Sequence, residues 1–73
     1  GAEISGQPGD TLSLIPLGGD AEGIITHNLE YPLNGETLFF GPARGVSNVL
    51  TASTARVELR AGLLLAIHTP GRA

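Results

Sequence analysis

Two stretches of this 73-residue chain alternate apolar and polar positions with a period of two. Leu12 and Leu14 share one face of a segment running from Thr11 to Leu17. Farther on, Ala55, Val57 and Leu59 alternate with Arg56, Glu58 and Arg60. Successive side chains of a strand point to opposite faces, so both stretches predict half-buried strands. Gly23 to Thr26 is rich in β-branched residues and predicts a further short strand. Leu29 to Leu33 should be extended, partly because Tyr31 precedes a proline. Asn34-Gly35 predicts a tight type I′ turn into a returning strand, Thr37 to Phe40. The run 46–61 has no Gly or Pro, so its first half, Val46 to Ala52, fits a helix or a strand. Leu63 to Ile67 is continuously apolar and predicts a central strand buried on both faces. Residues 55–67 together read as a hairpin.

Turn residues separate these elements. Gly18-Gly19-Asp20 predicts a turn, and Pro16 belongs at a sheet edge or bulge. Gly6, Pro8 and Gly9 make residues 1–9 read as a leader or linker from a preceding domain. The domain proper is expected over 10–69, with 70–73 a tail. About seven short strands in so few residues predict an all-β antiparallel sandwich or small jelly roll.

Composition narrows the possibilities. A core this small lies near the limit of independent stability, at roughly 70–80 residues. The chain has no Cys, so no disulfide or thiolate-metal staple helps. Dimerisation or a neighbouring domain is expected to cover its apolar strands. The net charge is −3, without Lys, and the arginines are scattered at 44, 56, 60 and 72. Nucleic-acid binding wants a clustered basic face and is not expected. No apolar run approaches the ~20 residues of a membrane helix. The first ten residues are polar and Gly-rich and show no signal-peptide pattern. The lack of Cys fits a cytoplasmic protein.

Catalytic signatures are missing. Without Lys there is no phosphate-binding Gly-x-x-x-x-Gly-Lys loop, and no Gly-x-Ser-x-Gly elbow occurs. His27 and His68 are dispersed and give no zinc pattern. The acids, Asp10 among them, are also dispersed, form no Asp-x-Asp pair, and read mostly as solvated turn and strand-face residues.

The densest chemistry lies in Phe39 to Asn48, with an aromatic pair, Gly41, Pro42, Arg44, Gly45 and then Ser47-Asn48. Eight residues upstream lies Leu29 to Leu33, with the only Tyr. A loop offering Ser and Asn near an aromatic residue suits a flat, nitrogen-rich ligand.

Four segments, Ser13 to Leu17, Gly23 to Leu33, Phe40 to Asn48 and Gly62 to Ile67, carry a family resemblance. They resemble, in order, the Ser-Leu-Ile-Pro-Leu, Gly-x-Thr-Thr-x-Gly-Leu-x-Tyr-Pro-Leu, Phe-Gly-x-x-Arg-Gly-Val-Ser-Asn and Gly-Leu-Leu-Leu-like segments of thiamine pyrophosphokinases. The resemblance is to the C-terminal, vitamin B1-binding domain. Ile25 stands for the first Thr, Asn28 for a Gly, and Val49 for an acid common after Ser-Asn. Asn tolerates positive φ, so the turn at Asn28 survives the change.

The resemblance implies a compact antiparallel β-sandwich of jelly-roll type. It implies a parent enzyme, a thiamine diphosphokinase, that transfers pyrophosphate from ATP to thiamine, giving thiamine diphosphate and AMP. ATP and Mg2+ would be held by an N-terminal nucleotide domain, and the enzyme would be a homodimer. The thiamine site would lie between this domain and the nucleotide domain of the other subunit. This chain would position thiamine and be inactive alone, with no catalytic or metal-binding residue of its own. Tyr31, Ser47 and Asn48 are the expected thiamine contacts, with Arg44 and Gly45 as loop or phosphate contacts. An Asn amide matches the donor and acceptor edge of an aminopyrimidine. Asn48 could instead cap a turn, Ser47 bond its own backbone, Tyr31 be a core or interface aromatic, and Arg44 a loop-fixing ion-pair residue. The alternative for the whole chain is a non-enzymatic β-sandwich for assembly or carbohydrate binding, although one Tyr and two Phe are few for a sugar site.

Overall fold

A computed structural model of the chain describes residues 2–41 and 46–71. It is all-β, with six strands and no helix among the described residues. The strands are β1 (Ala2–Ser5), β2 (Thr11–His27), β3 (Asn34–Leu38), β4 (Val46–Val49), β5 (Thr54–Glu58) and β6 (Ala61–Thr69). Every pairing is antiparallel. The run at 46–52, open to helix or strand in the sequence, supplies β4.

The 17-residue β2 organises the molecule. Its first half lies between β4 and β6. Its second half lies between β3 and β5, and β5 carries β1 on its other side. The expected turn at Gly18-Gly19-Asp20 is therefore a corner inside one strand. Gly18 takes φ 71°, and the pairing with β6 shifts register between Leu17 and Glu22. Glycine lets the strand bend and change layers without ending. Two expected strands become one, so there are six rather than about seven.

The alternation read from the sequence places the core. Leu12 and Leu14 from one layer meet Ala21, Ile24, Ala55 and Val57 from the other. Leu29 and Leu50 complete the buried cluster. Fully burying one such Leu or Ile is worth about 1.5–3 kcal/mol.

Four other expectations change. Ala2–Ser5, placed in a leader by the sequence reading, forms β1 against β5. Asn34-Gly35 makes no tight turn. Thr26 bonds Leu33 through both backbone and hydroxyl, so pairing with β2 is already under way before Asn34. The reversal instead uses Asn28, at φ 64°.

Residues 55–67 are not a paired hairpin. β5 pairs with β1 and the second half of β2, whereas β6 pairs with β2 alone. The chain crosses between layers near Gly62, at φ 96°. A Cβ there would lie 2.5 Å from the Asp20 carbonyl oxygen and 2.9 Å from Ala21 Cα. Finally, Leu63 to Ile67 is not buried on both faces. It has one strand neighbour, and Leu63, Leu65 and Ile67 are exposed. A continuous apolar run looks the same in sequence whether protein or water covers its second face.

Candidate functional site

Register along β4 decides where its polar side chains point. Asn48 pairs with Leu12 and Ser47 with Ser13 on β2. Leu12 faces the core, so Asn48 does too, and only 2% of it is exposed. Ser47 takes the opposite face, where its hydroxyl lies 3.5 Å from that of Ser13. Strand alternation thus separates two residues that are adjacent in sequence.

A buried amide needs partners, and Asn48 finds them mainly on Tyr31. The Tyr31 N–H donates to Asn48 Oδ1 at 2.9 Å, and Asn48 Nδ2 donates to the Tyr31 carbonyl at 2.6 Å. The Val49 N–H also donates to Oδ1, at 3.0 Å. The side-chain amide here imitates a peptide group. It prolongs a short ladder in which Leu29 bridges Leu50 and the Glu30 N–H donates to the Val49 carbonyl. Pro32 follows and has no N–H with which to continue the ladder.

The result is a fixed backbone beneath an exposed aromatic ring. Tyr31 is 62% exposed. Of the residues singled out in the sequence, Tyr31 and Asn48 are brought together, and Ser47 is turned away from Asn48. Arg44 and Gly45 lie outside the described residues. Phe39 and Phe40, which follow β3, are exposed, and the Phe40 N–H donates to Asp20 Oδ1 at 2.7 Å.

Asp10 was expected among the solvated acids but is buried. It accepts from the Gly71 N–H at 2.8 Å and the Gln7 N–H at 2.9 Å, and pairs with His68 Nε2 at 2.8 Å. The hydrogen bonds from Gly71 and Gln7, followed by that from His68, lower its pKa to about 2. This carboxylate ties the turn before β2 to the end of β6. Gln7-Pro8-Gly9-Asp10 carries a local turn signal, but Gly71 and His68 lie too far along the chain for that signal to reveal them. His27 lies 3.6 Å from Glu58 on the outside of the other layer.

A cleft of about 260 Å³ opens between the layers, lined by aliphatic side chains that include Ile4, Leu14, Val57 and Leu64. It offers no charged or hydrogen-bonding side chain to a polar ligand. Among the described residues, no group of three or more His, Asp or Glu side chains converges to hold a metal ion. Among the described residues there is no helix long and apolar enough to cross a membrane.

Comparison with protein families gives a match. The family described as thiamin pyrophosphokinase, vitamin B1 binding domain, matches residues 3–64, a span that takes in most of β1. No curated protein and no solved structure matches the chain.

Proposed function

The chain belongs to the thiamin pyrophosphokinase vitamin B1-binding domain family, and from that premise we propose that it holds thiamine against Tyr31 at the edge of β4. The observation that carries this placement is the double hydrogen bond between the Asn48 amide and the Tyr31 backbone. It fixes an exposed aromatic ring at low conformational cost. Thiamine offers a flat pyrimidine for stacking and a cationic thiazolium for a cation–π contact.

Asn48 is then a positioning residue, because its Oδ1 already accepts two N–H groups. Ser47 supplies a hydroxyl on the other face of β4, so the two do not grip one ligand edge as a pair. Arg44 and Gly45, which precede β4 in the sequence, are proposed as loop or phosphate contacts.

The parent enzyme transfers pyrophosphate from ATP to the thiamine hydroxyl and releases AMP. The attacking hydroxyl belongs to the substrate, so the task of this domain is orientation. ATP and Mg2+ are assigned to a nucleotide domain, since this chain has no Lys and its described acids do not converge. The working form is a cytoplasmic homodimer, with thiamine held between this domain and the nucleotide domain of the other subunit.

Calorimetric titration tests the proposal. Thiamine is titrated into protein carrying both this domain and a nucleotide domain, with and without ATP-magnesium. Saturable thiamine binding that weakens in Tyr31→Ala is expected. Thiamine binding that is absent, or unchanged in that variant while ATP still binds, would overturn the proposal.

A further inference from the structure

Thr26 is buried on β2, two residues past Ile24 and between the exposed Ile25 and His27. An aliphatic residue would suit such a position, and a hydroxyl there needs a partner. That partner is the Leu33 N–H, which donates to Thr26 Oγ1 at 2.8 Å. The Thr26 N–H donates in turn to the Leu33 carbonyl at 2.9 Å. One residue of β2 thus holds both polar groups of the Leu33 backbone, where strand pairing at this point supplies only the second bond.

Leu33 lies two residues after Tyr31, and Pro32 stands between them. Proline fixes its own φ and restricts the residue before it, so Tyr31-Pro32-Leu33 is a stiff unit. It has two anchors. Asn48 bonds the N–H and carbonyl of Tyr31 at one end, and Thr26 bonds those of Leu33 at the other. The anchors come from different layers, Asn48 from β4 beside the first half of β2 and Thr26 from its second half. A segment held at one point can pivot about it. Support from two elements sets the direction of a functional side chain more closely than support from one.

We infer that Thr26 is a second positioning residue for the Tyr31 ring, acting through the Leu33 N–H, and that its hydroxyl rather than its bulk carries the role. Thr and Val are both β-branched and both suit a strand, so packing alone does not call for an oxygen at this position. Thr26 is buried and orients the ring without touching a ligand. The inference rests on the placement of thiamine against Tyr31 and adds to it the support that comes from the other layer.

Thr26→Val is the test, because valine keeps the branched shape and removes the acceptor. The chain has one Tyr and no Trp, so the fluorescence of the 73-residue chain comes from Tyr31 alone. Time-resolved anisotropy of that fluorescence should show a larger fast motion of the ring in Thr26→Val than in the native chain. Thr26→Ser keeps the oxygen and should recover most of the difference. Ile24→Val, a core truncation two residues away that loses no side-chain hydrogen bond, should leave the ring as it is. In protein carrying both this domain and a nucleotide domain, Thr26→Val should weaken thiamine binding roughly 2- to 10-fold by calorimetry, with ATP binding unchanged. Should Thr26→Val fail to fold, Thr26→Ala removes the same acceptor, leaves room for a water at the Leu33 N–H, and carries the same expectations. Native anisotropy in the variant, loosening that Ile24→Val reproduces or that Thr26→Ser does not reverse, or unchanged thiamine affinity beside a weakened Tyr31→Ala would overturn the inference. If Tyr31→Ala also binds thiamine as the native protein does, the placement of thiamine has failed and the inference falls with it.

Discussion

At the scale of single residues, the proposed site gives Asn48 and Tyr31 different roles, which variants can separate. Asn48→Ala removes the acceptor for two N–H groups and should destabilise the fold by about 2 kcal/mol. It should also weaken thiamine binding, because Tyr31 loses its anchor. Tyr31→Ala should lower thiamine affinity roughly 5- to 30-fold through lost stacking and cation–π contact. Its effect on stability should be smaller than that of Asn48→Ala, and Tyr31→Phe should be mild. Chemical denaturation beside thiamine titration of the variants separates the two roles. Asp10 gives a prediction in pH. Its pKa is lowered from 3.8 to about 2 in the folded chain, so the unfolded chain takes up the proton first as pH falls. The stabilisation is complete above the unfolded value and is lost as pH falls toward about 2. Asp10→Asn should therefore be less stable than the native chain near neutrality, and the gap should narrow between the two pKa values. Urea midpoints across that range check this. The Ser47-Asn48 pair stands out in the sequence; the direction each side chain faces does not. That direction depends on a register with β2 and on a backbone partner 17 residues away.

At the scale of elements, local periodicity identified β5 and the first half of β2, missed β1, and did not reveal which strands pair. The alternation at 55–59 correctly places Ala55 and Val57 in the core. It carries no information on whether β5 pairs with β6, and the two strands pair with different halves of β2. Glycine punctuation was ambiguous for a related reason. Gly18-Gly19 reads equally well as the end of a strand or a corner within one, and only the layers on either side decide. Gly62 is where this topology is most constrained. It combines φ 96° with backbone atoms where a Cβ would sit, so Gly62→Ala should cost about 2 kcal/mol or more. Arg56→Ala is the contrasting change. Arg56 pairs with Glu58 at 3.0 Å and Glu3 at 3.8 Å, with all three side chains well exposed. Its loss should shift stability by no more than about 0.5–1 kcal/mol. Thermal unfolding of the two variants side by side checks the contrast.

At the scale of the whole molecule, composition and turn spacing were enough to give an all-β antiparallel fold. They could not show that one apolar strand face would be left uncovered, because burial is a property of the assembled layers. The same limit applies to Asp10, whose partners come together only when both ends of the chain are in place. The proposed division of labour with a nucleotide domain also belongs to this scale. The 73-residue chain, supplied with thiamine, ATP and Mg2+, should form no AMP, which chromatography of the reaction mixture would check. The most direct measurement of thiamine binding is a thiamine titration of protein carrying both this domain and a nucleotide domain, with this domain isotopically labelled and its amide resonances followed in NMR. The expected result is a set of saturable shifts centred on the Tyr31, Asn48 and Val49 amides, with the Arg56 amide on the other layer unmoved. An absence of shifts at millimolar thiamine, or shifts centred away from Tyr31 and β4, would contradict thiamine binding at this site.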